Sequence, residues 1–455
     1  MATQNSLQTL RLKHPVFRYR SFAFQVANQK LHANFDFLLE PNIHFAPSIT
    51  IPLLGNEIPF AIDNFVFHLG LIEMLSYWKA SCAPRIVVEA GNLSAEQLEW
   101  WRDLFLHGLG EFYFRNSIHF SSPDFFTIEA HSGRTFEPVP VSDLEGDLVL
   151  SGGGKDSAVT LELLKSGPAK KRRAFVLYSI DAAEMAARTS GYGEPITVQR
   201  VIDPSLLALN KAGYLNGHTP FSAYLAFLGT FVAALHGLRH VIAANEQSAN
   251  EANTELHGMA INHQYSKSYR FEKLFRAYAA SYVTSGVEYF SALRPLGDLT
   301  ISALFAGLPS HFAGFRSCNV GQKTGSWCGK CAKCAFVYLT LLPFLPDGEA
   351  ERIFGSNFLL HPEIIGHVRG LVNLEAVKPF ECVGTVEESC AAFALCLEKI
   401  RASSKSVPAA LLKIESELSH SQPVDAQKVI QGWSREHFLP PEYERLLRLA
   451  VEKLQ

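Results

Sequence analysis

The chain has 455 residues, of which 47% are hydrophobic and 19% are charged. This composition is typical of a soluble globular protein of two or three domains, and it excludes an intrinsically disordered chain. The formal net charge of −3 lacks the basic signature of nucleic-acid-binding proteins, so we expect no nucleic acid as a partner.

Residues 1–145 predict an N-terminal α+β domain with an accessory or substrate-shaping role. Aromatic-rich and alternating apolar runs indicate half-buried strands at 16–27, 30–40 and 46–54. Two helical patterns follow, with a short strand pattern between them, at 64–80, 94–109 and 85–91. We recognise no motif here that carries chemistry, and we therefore place no catalytic residue in this domain.

Residues 146–342 predict a parallel sheet that helices cover on both faces. Continuous apolar runs, which are typical of strands buried on both faces, alternate here with helical patterns. The apolar runs lie at 147–150, 174–180, 196–202 and 240–244, and the helical patterns at 157–166 and 220–238. The second helical pattern coincides with the longest uncharged stretch, and its Pro and Gly residues favour a buried helix over a membrane span. We therefore expect no association with a membrane.

Polar side chains follow these apolar runs at the points where the runs end. They are residues 151–157, Ser179 with Asp181, Asp203, and Asn245 with Glu246. Because ligands bind beyond the carboxyl ends of the strands in an open α/β sheet, the sequence predicts a site at this edge.

The motif SGGGKDS at 151–157 predicts a turn that binds a phosphate. Glycines let backbone amides approach an anion closely, and the N-terminus of the following helix favours negative charge. Lys155 adds a mobile cation in this interpretation, Ser151 and Ser157 add hydroxyl donors, and Asp156 suits a Mg²⁺ ion. The spacing excludes a Walker A loop, because Val149 stands where that loop needs a glycine. This combination is more typical of a site that releases diphosphate from a nucleotide than of a site that transfers the γ-phosphate.

The motif resembles that of the PP-loop ATP pyrophosphatase family, Ser-Gly-Gly-x-Asp-Ser after the first strand of a Rossmann-like sheet. Residues 153–157 match it, whereas the leading serine of the family falls on Gly152, one place after Ser151. The resemblance implies a Rossmann-like PP-loop domain that splits ATP into AMP and diphosphate and places AMP on a substrate oxygen. We expect ATP and Mg²⁺ to contact Ser151, Gly152, Gly153, Gly154, Lys155, Asp156, Ser157, Ser179, Asn245 and Glu246.

Lys155 and Asp156 are candidate catalytic residues. Two polar loops provide further candidates, which are acid and base groups. The loop after the fourth apolar run carries His263 and Lys267, and the segment KPFECVGT carries Cys382. A polar loop between buried elements is more often functional than not, and an activated thiol can exchange a proton with carbon. A structural histidine and a packed, buried cysteine are the alternatives that the sequence leaves open.

Four clustered cysteines predict a closed tetrahedral Zn²⁺ site: Cys318, Cys328, Cys331 and Cys334. Four thiolates leave no open position for chemistry, so we expect a structural role for the metal. The spacing resembles the zinc site of the PP-loop enzyme 7-cyano-7-deazaguanine synthase. Cysteines bunched in this way favour a reducing compartment over a secreted disulfide framework, and we therefore expect a cytoplasmic protein.

Residues 343–455 predict a helical C-terminal region, with helical patterns at 350–354, 390–402, 408–420 and 442–454. The whole chain combines SGGGKDS, ANEQSANE, NHQYSKS, the cysteine knuckle and KPFECVGT. That combination resembles one branch of the PP-loop family, the ATP-dependent epimerases of the terminal L-glutamate in a UDP-N-acetylmuramoyl dipeptide. The resemblance implies a role in peptidoglycan precursor synthesis, with an acyl-adenylate intermediate and AMP and diphosphate as products.

Two other functions remain open at this point. One is another PP-loop adenylating enzyme, of the ligase, amidating or sulfur-transfer type, that acts on a small molecule or nucleobase. The other is a nucleotide-binding scaffold without catalysis. The sequence implies no obligate protein partner for any of these functions.

Overall fold

The computed structural model describes residues 6–404, 406–420 and 424–454. Its strands are β1 (Val16–Ala27), β2 (Lys30–Leu39), β3 (Ile43–Phe45), β4 (Ser48–Pro52), β5 (Arg85–Val88), β6 (Thr127–Ala130), β7 (Asp147–Leu150), β8 (Arg172–Leu177), β9 (Ile196–Val201), β10 (His240–Ala243), β11 (Thr254–Leu256), β12 (Met259–Ile261) and β13 (Glu288–Ser291).

The helices of the first 330 residues are α1 (Leu7–Lys13), α2 (Asp63–Trp78), α3 (Ala95–Gly108), α4 (Gly110–Arg115), α5 (Lys155–Leu164), α6 (Asp181–Thr189), α7 (Pro204–Lys211), α8 (Phe221–Leu235), α9 (Tyr269–Tyr282), α10 (Asp298–Ala306) and α11 (Asn319–Thr324). Those that follow are α12 (Ala332–Leu341), α13 (Glu349–Phe354), α14 (Pro362–Leu371), α15 (Val386–Ala402), α16 (Ala409–Leu418), α17 (Ala426–Ile430) and α18 (Pro441–Glu452). Short 3₁₀ turns lie at Gln247–Asn250, Tyr265–Lys267, Pro309–His311, Leu342–Phe344 and Phe358–Leu360.

Eleven of the strands form one mixed sheet, in the order β13-β10-β7-β8-β9-β4-β2-β1-β5-β6, with β3 paired to β2. The five strands from β13 to β9 are parallel to their neighbours. Strand β4 then pairs antiparallel with β9 and joins them to the N-terminal strands. The remaining two strands, β11 and β12, form a separate hairpin.

Both faces of the central parallel strands β7, β8 and β10 are largely buried, as their continuous apolar runs predict, whereas β9 has exposed residues. Leu148 and Leu150 of β7 pack in one hydrophobic core with α8, whereas Val149 packs in a second core with α5 and α12. This alternation follows from the two-residue period of a strand, which points successive side chains to opposite faces. The predicted parallel sheet with helices on both sides is therefore confirmed.

The uncharged stretch at 219–238 forms α8, and most of this helix is buried against the sheet and α2. The predicted buried helix is thus confirmed. Across the residues that the structure describes, no helix combines the length and the apolarity that crossing a bilayer requires. Residues 343–455 contribute α13–α18, which pack on the second core.

Candidate active site

A cavity of about 350 Å³ opens at the carboxyl edge of the parallel strands; we call it the central cavity. Its walls come from the turn after β7, the end of β8, the loop after β10 and the first turn of α8. The chain runs from β7 to β8 on one side and returns to β10 on the other, so the sheet order reverses here. Such a reversal separates the loops that follow neighbouring strands and leaves a crevice for a ligand.

The turn at 151–154 is fixed by hydrogen bonds to its surroundings. Ser151 Oγ donates to the carbonyl of Ala183 at 3.2 Å, and the Gly152 N–H donates to Ser157 Oγ at 3.0 Å. Gly153 has a φ of +75°, and a Cβ there would lie 2.6 Å from the backbone nitrogen of Ala183. A side chain is therefore excluded at this position, and the turn packs its backbone against the first turn of α6.

Lys155 is not the mobile cation that the sequence suggests, because its side chain is fully buried. Its ammonium contacts Asp156 Oδ1 at 2.5 Å and also pairs with the buried carboxylate of Asp298. Burial alone lowers the pKa of Lys155, but the two carboxylates outweigh it and raise that pKa above its usual value. Lys155 therefore remains charged and ties the turn to the start of α10.

Asp298 was not found from the sequence because the strand before it was missed. It begins α10, seven residues after the end of β13, the fifth parallel strand. Strand β13 has only four residues of mixed polarity, so the sequence gives little signal for this fifth strand end at the predicted edge. Asp298 thus belongs to the same edge as the residues of 151–157.

Glu246 and Lys267 are brought together by Arg294, which is fully buried. Its guanidinium donates to the carbonyl of Glu246 at 2.5 Å and to the carbonyl of Lys267, and it forms an ion pair with Glu272 at 2.9 Å. Burial raises the pKa of Glu246 to about 7, although the nearby Lys267 opposes the shift. The loops that carry the two residues are therefore held in one fixed arrangement.

Cys382 and His263 both line the central cavity, next to Lys267. Burial raises the pKa of the Cys382 thiol, but the Lys267 ammonium and the His263 imidazolium outweigh it and lower the pKa to about 5. Burial lowers the pKa of His263, whereas Cys382 and Glu111 raise it to about 9. At neutral pH the cavity therefore contains a thiolate, which is a base, and an imidazolium, which is an acid.

Glu111 of α4 is a site residue that the sequence did not reveal, since no motif surrounds it. Its Oε2 lies 2.5 Å from His263 Nδ1 and 3.6 Å from His218 Nδ1, and Arg115 pairs with its other oxygen. The carboxylate orients the His263 ring and stabilises its positive charge. Glu111 lies in the N-terminal stretch, where the sequence shows no recognisable motif that carries chemistry. The donor atoms of Glu111, His218 and His263 lie within 4.8 Å of one another, so together they could also bind a cation.

Of the other polar residues at the strand ends, Asn245 lines the cavity, whereas Ser179 and Asp203 do not. Asn245 lines the cavity, and its side-chain amide donates to Ser291 Oγ at 3.1 Å. Ser179 is exposed, donates to Glu184 Oε1 at 2.6 Å, and is not among the residues that line the cavity. Asp203 caps α7 by accepting the Ser205 N–H at 2.7 Å, which is a structural role.

The four clustered cysteines lie together, with their sulfur atoms within 4.8 Å of one another. Backbone N–H groups of Gly321 and Cys334 donate to the sulfurs of Cys318 and Cys331, at 3.1 Å and 3.4 Å. Donors of this kind stabilise thiolates, so the cluster is a possible metal site. The segment between the cysteines also contacts the turn, because Gln322 Nε2 donates to the carbonyl of Gly152 at 2.8 Å.

Known proteins resemble this chain along most of its length. The model of the MurL N-terminal domain matches residues 8–292, and that of the MurL C-terminal domain matches residues 314–426. A relative from Xanthomonas oryzae pv. oryzae, named UDP-N-acetyl-alpha-D-muramoyl-L-alanyl-L-glutamate epimerase, is 31% identical over 94% of this chain and 96% of its own. Relatives of the same name from Micromonospora sp. and Salinispora tropica are each 33% identical, over 95% and 83% of this chain and 97% and 84% of their own. No solved structure matches. The chain therefore belongs to the MurL family.

Proposed function

We propose that this protein epimerises the terminal L-glutamate of UDP-N-acetylmuramoyl-L-alanyl-L-glutamate to D-glutamate, with ATP as the activating co-substrate. Its relatives named as this epimerase support the assignment, because their similarity covers both matched domains. The observation that carries it is the single cavity where the turn at 151–157 faces Cys382, His263 and Lys267. One half of such a site suits a phosphate group, and the other suits proton transfer at carbon.

A PP-loop assignment for 146–342 is supported by the order of the parallel strands. Numbered along the chain, these strands follow the order 3-2-1-4-5, which is that of Rossmann-like sheets. The N-terminus of α5 and the turn before it would bind the phosphates of ATP. The Asp156 carboxylate, which lines the cavity, fits a Mg²⁺ ion that would neutralise phosphate charge. Residues 1–145 would shape the substrate site, and 343–455 would form a helical support.

ATP activation removes the main obstacle to epimerisation. The α-proton beside a free carboxylate is very weakly acidic, because the carbanion would lie next to a negative charge. Adenylation of that carboxylate removes the charge, and each pKa unit of acidity gained lowers the energy of the carbanion by about 1.4 kcal/mol. A Schiff base with pyridoxal phosphate is not available here, since the glutamate nitrogen is already part of an amide.

The protonation states in the cavity suit the two proton transfers. The Cys382 thiolate accepts the α-proton, and His263 or Lys267 donates a proton to the opposite face of the α-carbon. Water then releases the D-glutamyl product and AMP. Glu111 maintains the charged form of His263 through their 2.5 Å contact.

The purified protein is expected to convert UDP-N-acetylmuramoyl-L-alanyl-L-glutamate to its D-glutamyl epimer and to release AMP and diphosphate in equal amounts. In D₂O the product should carry deuterium at the glutamate α-carbon, because the proton leaves and is replaced from solvent. Chiral amino-acid analysis and mass spectrometry measure both results. Inversion without AMP release, or without deuterium, would contradict the mechanism. Free L-alanyl-L-glutamate serves as the control and should react far more slowly, since it lacks the remote binding energy of the UDP-sugar.

We also propose that Cys318, Cys328, Cys331 and Cys334 bind one structural Zn²⁺. The donor set fits, because the sulfurs are close together and two of them accept backbone N–H groups. A closed Cys₄ shell supplies stability and no chemistry. The eight cysteines are all free of disulfides, which supports a reducing, cytoplasmic location.

Elemental analysis of the purified protein is expected to give about one zinc per chain, as for a single structural site. Cys331→Ser should lower both the zinc content and the melting temperature, because metal binding contributes directly to folding stability. Cys390→Ser is the matched control, since Cys390 lies outside the cluster and should leave the zinc content unchanged. A zinc-free preparation with an unaltered melting temperature would rule the site out.

A further inference from the structure

A second cavity, of about 320 Å³, adjoins the central cavity; we call it the Lys79 pocket. Its polar lining includes Ser76, Lys79, Arg200, Asn210, Asn216 and Thr219. Phe221 also lines the central cavity, so the two cavities share this residue. The reaction proposed above uses none of the polar groups in this second cavity.

The Lys79 ammonium is buried, and no carboxylate of the described residues is in contact with it. Its side chain donates to the carbonyl of Gly217 and to Thr219 Oγ1, at 2.7 Å for the latter, and both acceptors are neutral. Among the residues that the structure describes, no carboxylate lies within 4.0 Å of it, whereas the neighbouring Arg200 is paired with Glu73 at 2.8 Å. A buried charge without a counter-ion is costly, so the pocket favours an anionic ligand.

The N-terminus of α8 adds a second positive feature to the same pocket. This helix has 15 residues and no side-chain cap at its N-terminus, where the Phe221 and Ala223 N–H groups donate to the carbonyls of Thr219 and Pro220. The helix dipole attracts an anion to a helix N-terminus. Together with Lys79, this N-terminus forms a site that suits the oxygens of a phosphate or diphosphate.

The outer wall of the Lys79 pocket is apolar and aromatic. Ile202, Leu207 and Phe221 line it while remaining 36%, 53% and 41% exposed. Phe221 is stacked with Tyr224 at an interplanar angle of 10°. A flat base can pack on a surface of this kind.

Two amide side chains accompany this apolar wall, and they can recognise the polar edge of a base. Asn210 and Asn216 both line the pocket. Asn210 Oδ1 is buried and accepts no hydrogen bond from the described residues. A buried acceptor without a partner is costly, and the N–H of a pyrimidine edge would satisfy it.

We propose that the Lys79 pocket binds the nucleoside diphosphate part of the substrate. Lys79 and the N-terminus of α8 would contact the diphosphate, and the base would pack near Phe221 with its edge towards Asn210. The sugar and dipeptide would then extend past Phe221 into the central cavity, where the glutamate reacts. This inference rests on the proposed function, because that function supplies a substrate with a nucleoside diphosphate at one end.

Binding of UDP alone, measured by isothermal titration calorimetry, tests the pocket directly. Lys79→Met is expected to raise the Kd of UDP by about tenfold or more, as the loss of a charged phosphate contact does. Leu207→Glu should have a similar effect, because it adds a negative charge to an exposed position of the wall. Lys211→Met and Leu412→Glu are the matched controls, as both positions are exposed and lie outside the pocket. Thermal melting shows whether each variant is folded. If Lys79→Met does not fold, UDP binding by Leu207→Glu tests the pocket instead.

The outcomes separate the pocket from the function. If the wild-type protein epimerises its substrate and binds UDP but Leu207→Glu and Lys79→Met bind UDP normally, the pocket assignment is wrong and the function stands. If the wild-type protein binds neither UDP nor the UDP-linked substrate, the proposed function fails as well. The pocket assignment is supported if both variants bind UDP more weakly and have a higher KM for the UDP-linked substrate. Their KM for ATP should be unchanged.

Discussion

Cys382→Ala is expected to abolish epimerisation while leaving the activation of the substrate intact. The thiolate is the base in the proposed mechanism, and loss of a general base typically slows a reaction by about 10²- to 10⁴-fold. Adenylation does not use this thiol, so exchange of label between diphosphate and ATP should continue. The two measurements are therefore chiral analysis of glutamate and the exchange assay. Loss of both activities in a folded variant would show that Cys382 is also needed for adenylation, which contradicts its assignment as the base alone.

The pH dependence of the wild-type protein gives an independent test of the same pair. Cys382 must be deprotonated, so the rate should fall as the pH drops through about 5, the value to which Lys267 and His263 lower the pKa of the thiol. His263 must be protonated if it is the acid, so the rate should also fall as the pH rises through about 9. Glu111→Gln should lower the pKa of His263, so only the fall in rate at high pH should move, and it should move to lower pH. Cys390→Ala, outside the cavity, should preserve the whole profile.

Lys155→Ala is expected to abolish AMP formation and also to destabilise the fold. A mobile cation, as the sequence suggests, could be removed without loss of stability, but Lys155 is buried between two carboxylates. Removal of one partner from a buried ion pair costs about 3–5 kcal/mol of the free energy of unfolding, because the other charge stays buried. Denaturant unfolding and an AMP assay measure the two effects.

A double variant separates these effects. Lys155→Met with Asp298→Asn removes both buried charges, so most of the lost stability should return. AMP formation should not return, because the positive charge beside the phosphate-binding turn is still missing. Asp156→Asn, at a half-buried carboxylate, should lose AMP formation with little loss of stability. AMP formation at the wild-type rate in the double variant would remove the turn from the active site.

Local patterns predicted much of this fold and part of the site. Strand β1 and helix α8 were recognised from their own periodicity, and the turn at 151–157 from the chemistry of its residues. Strand β13 was missed because four residues of mixed polarity carry little signal. Asp298, which depends on β13, was missed with it.

Long-range partners could not be predicted in the same way. Glu111 and His263 are 152 positions apart, and neither lies in a motif that names the other. The pairing of β4 with β9 is equally non-local. Such contacts depend on how distant elements pack, which the pattern of a single sequence does not encode.

The pairing of β4 with β9 also determines how the protein can move. Three residue pairs align the two strands, among them Ile49 with Arg200, and Arg200 is also paired with Glu73 of α2. A hinge between the N-terminal strands and the parallel strands would have to break these backbone hydrogen bonds. The pairing therefore opposes a hinge motion between the two parts of the sheet. In the proposed binding mode, a continuous sheet of this kind would lower the entropy lost on binding, because the two ends of the substrate would meet preset sites.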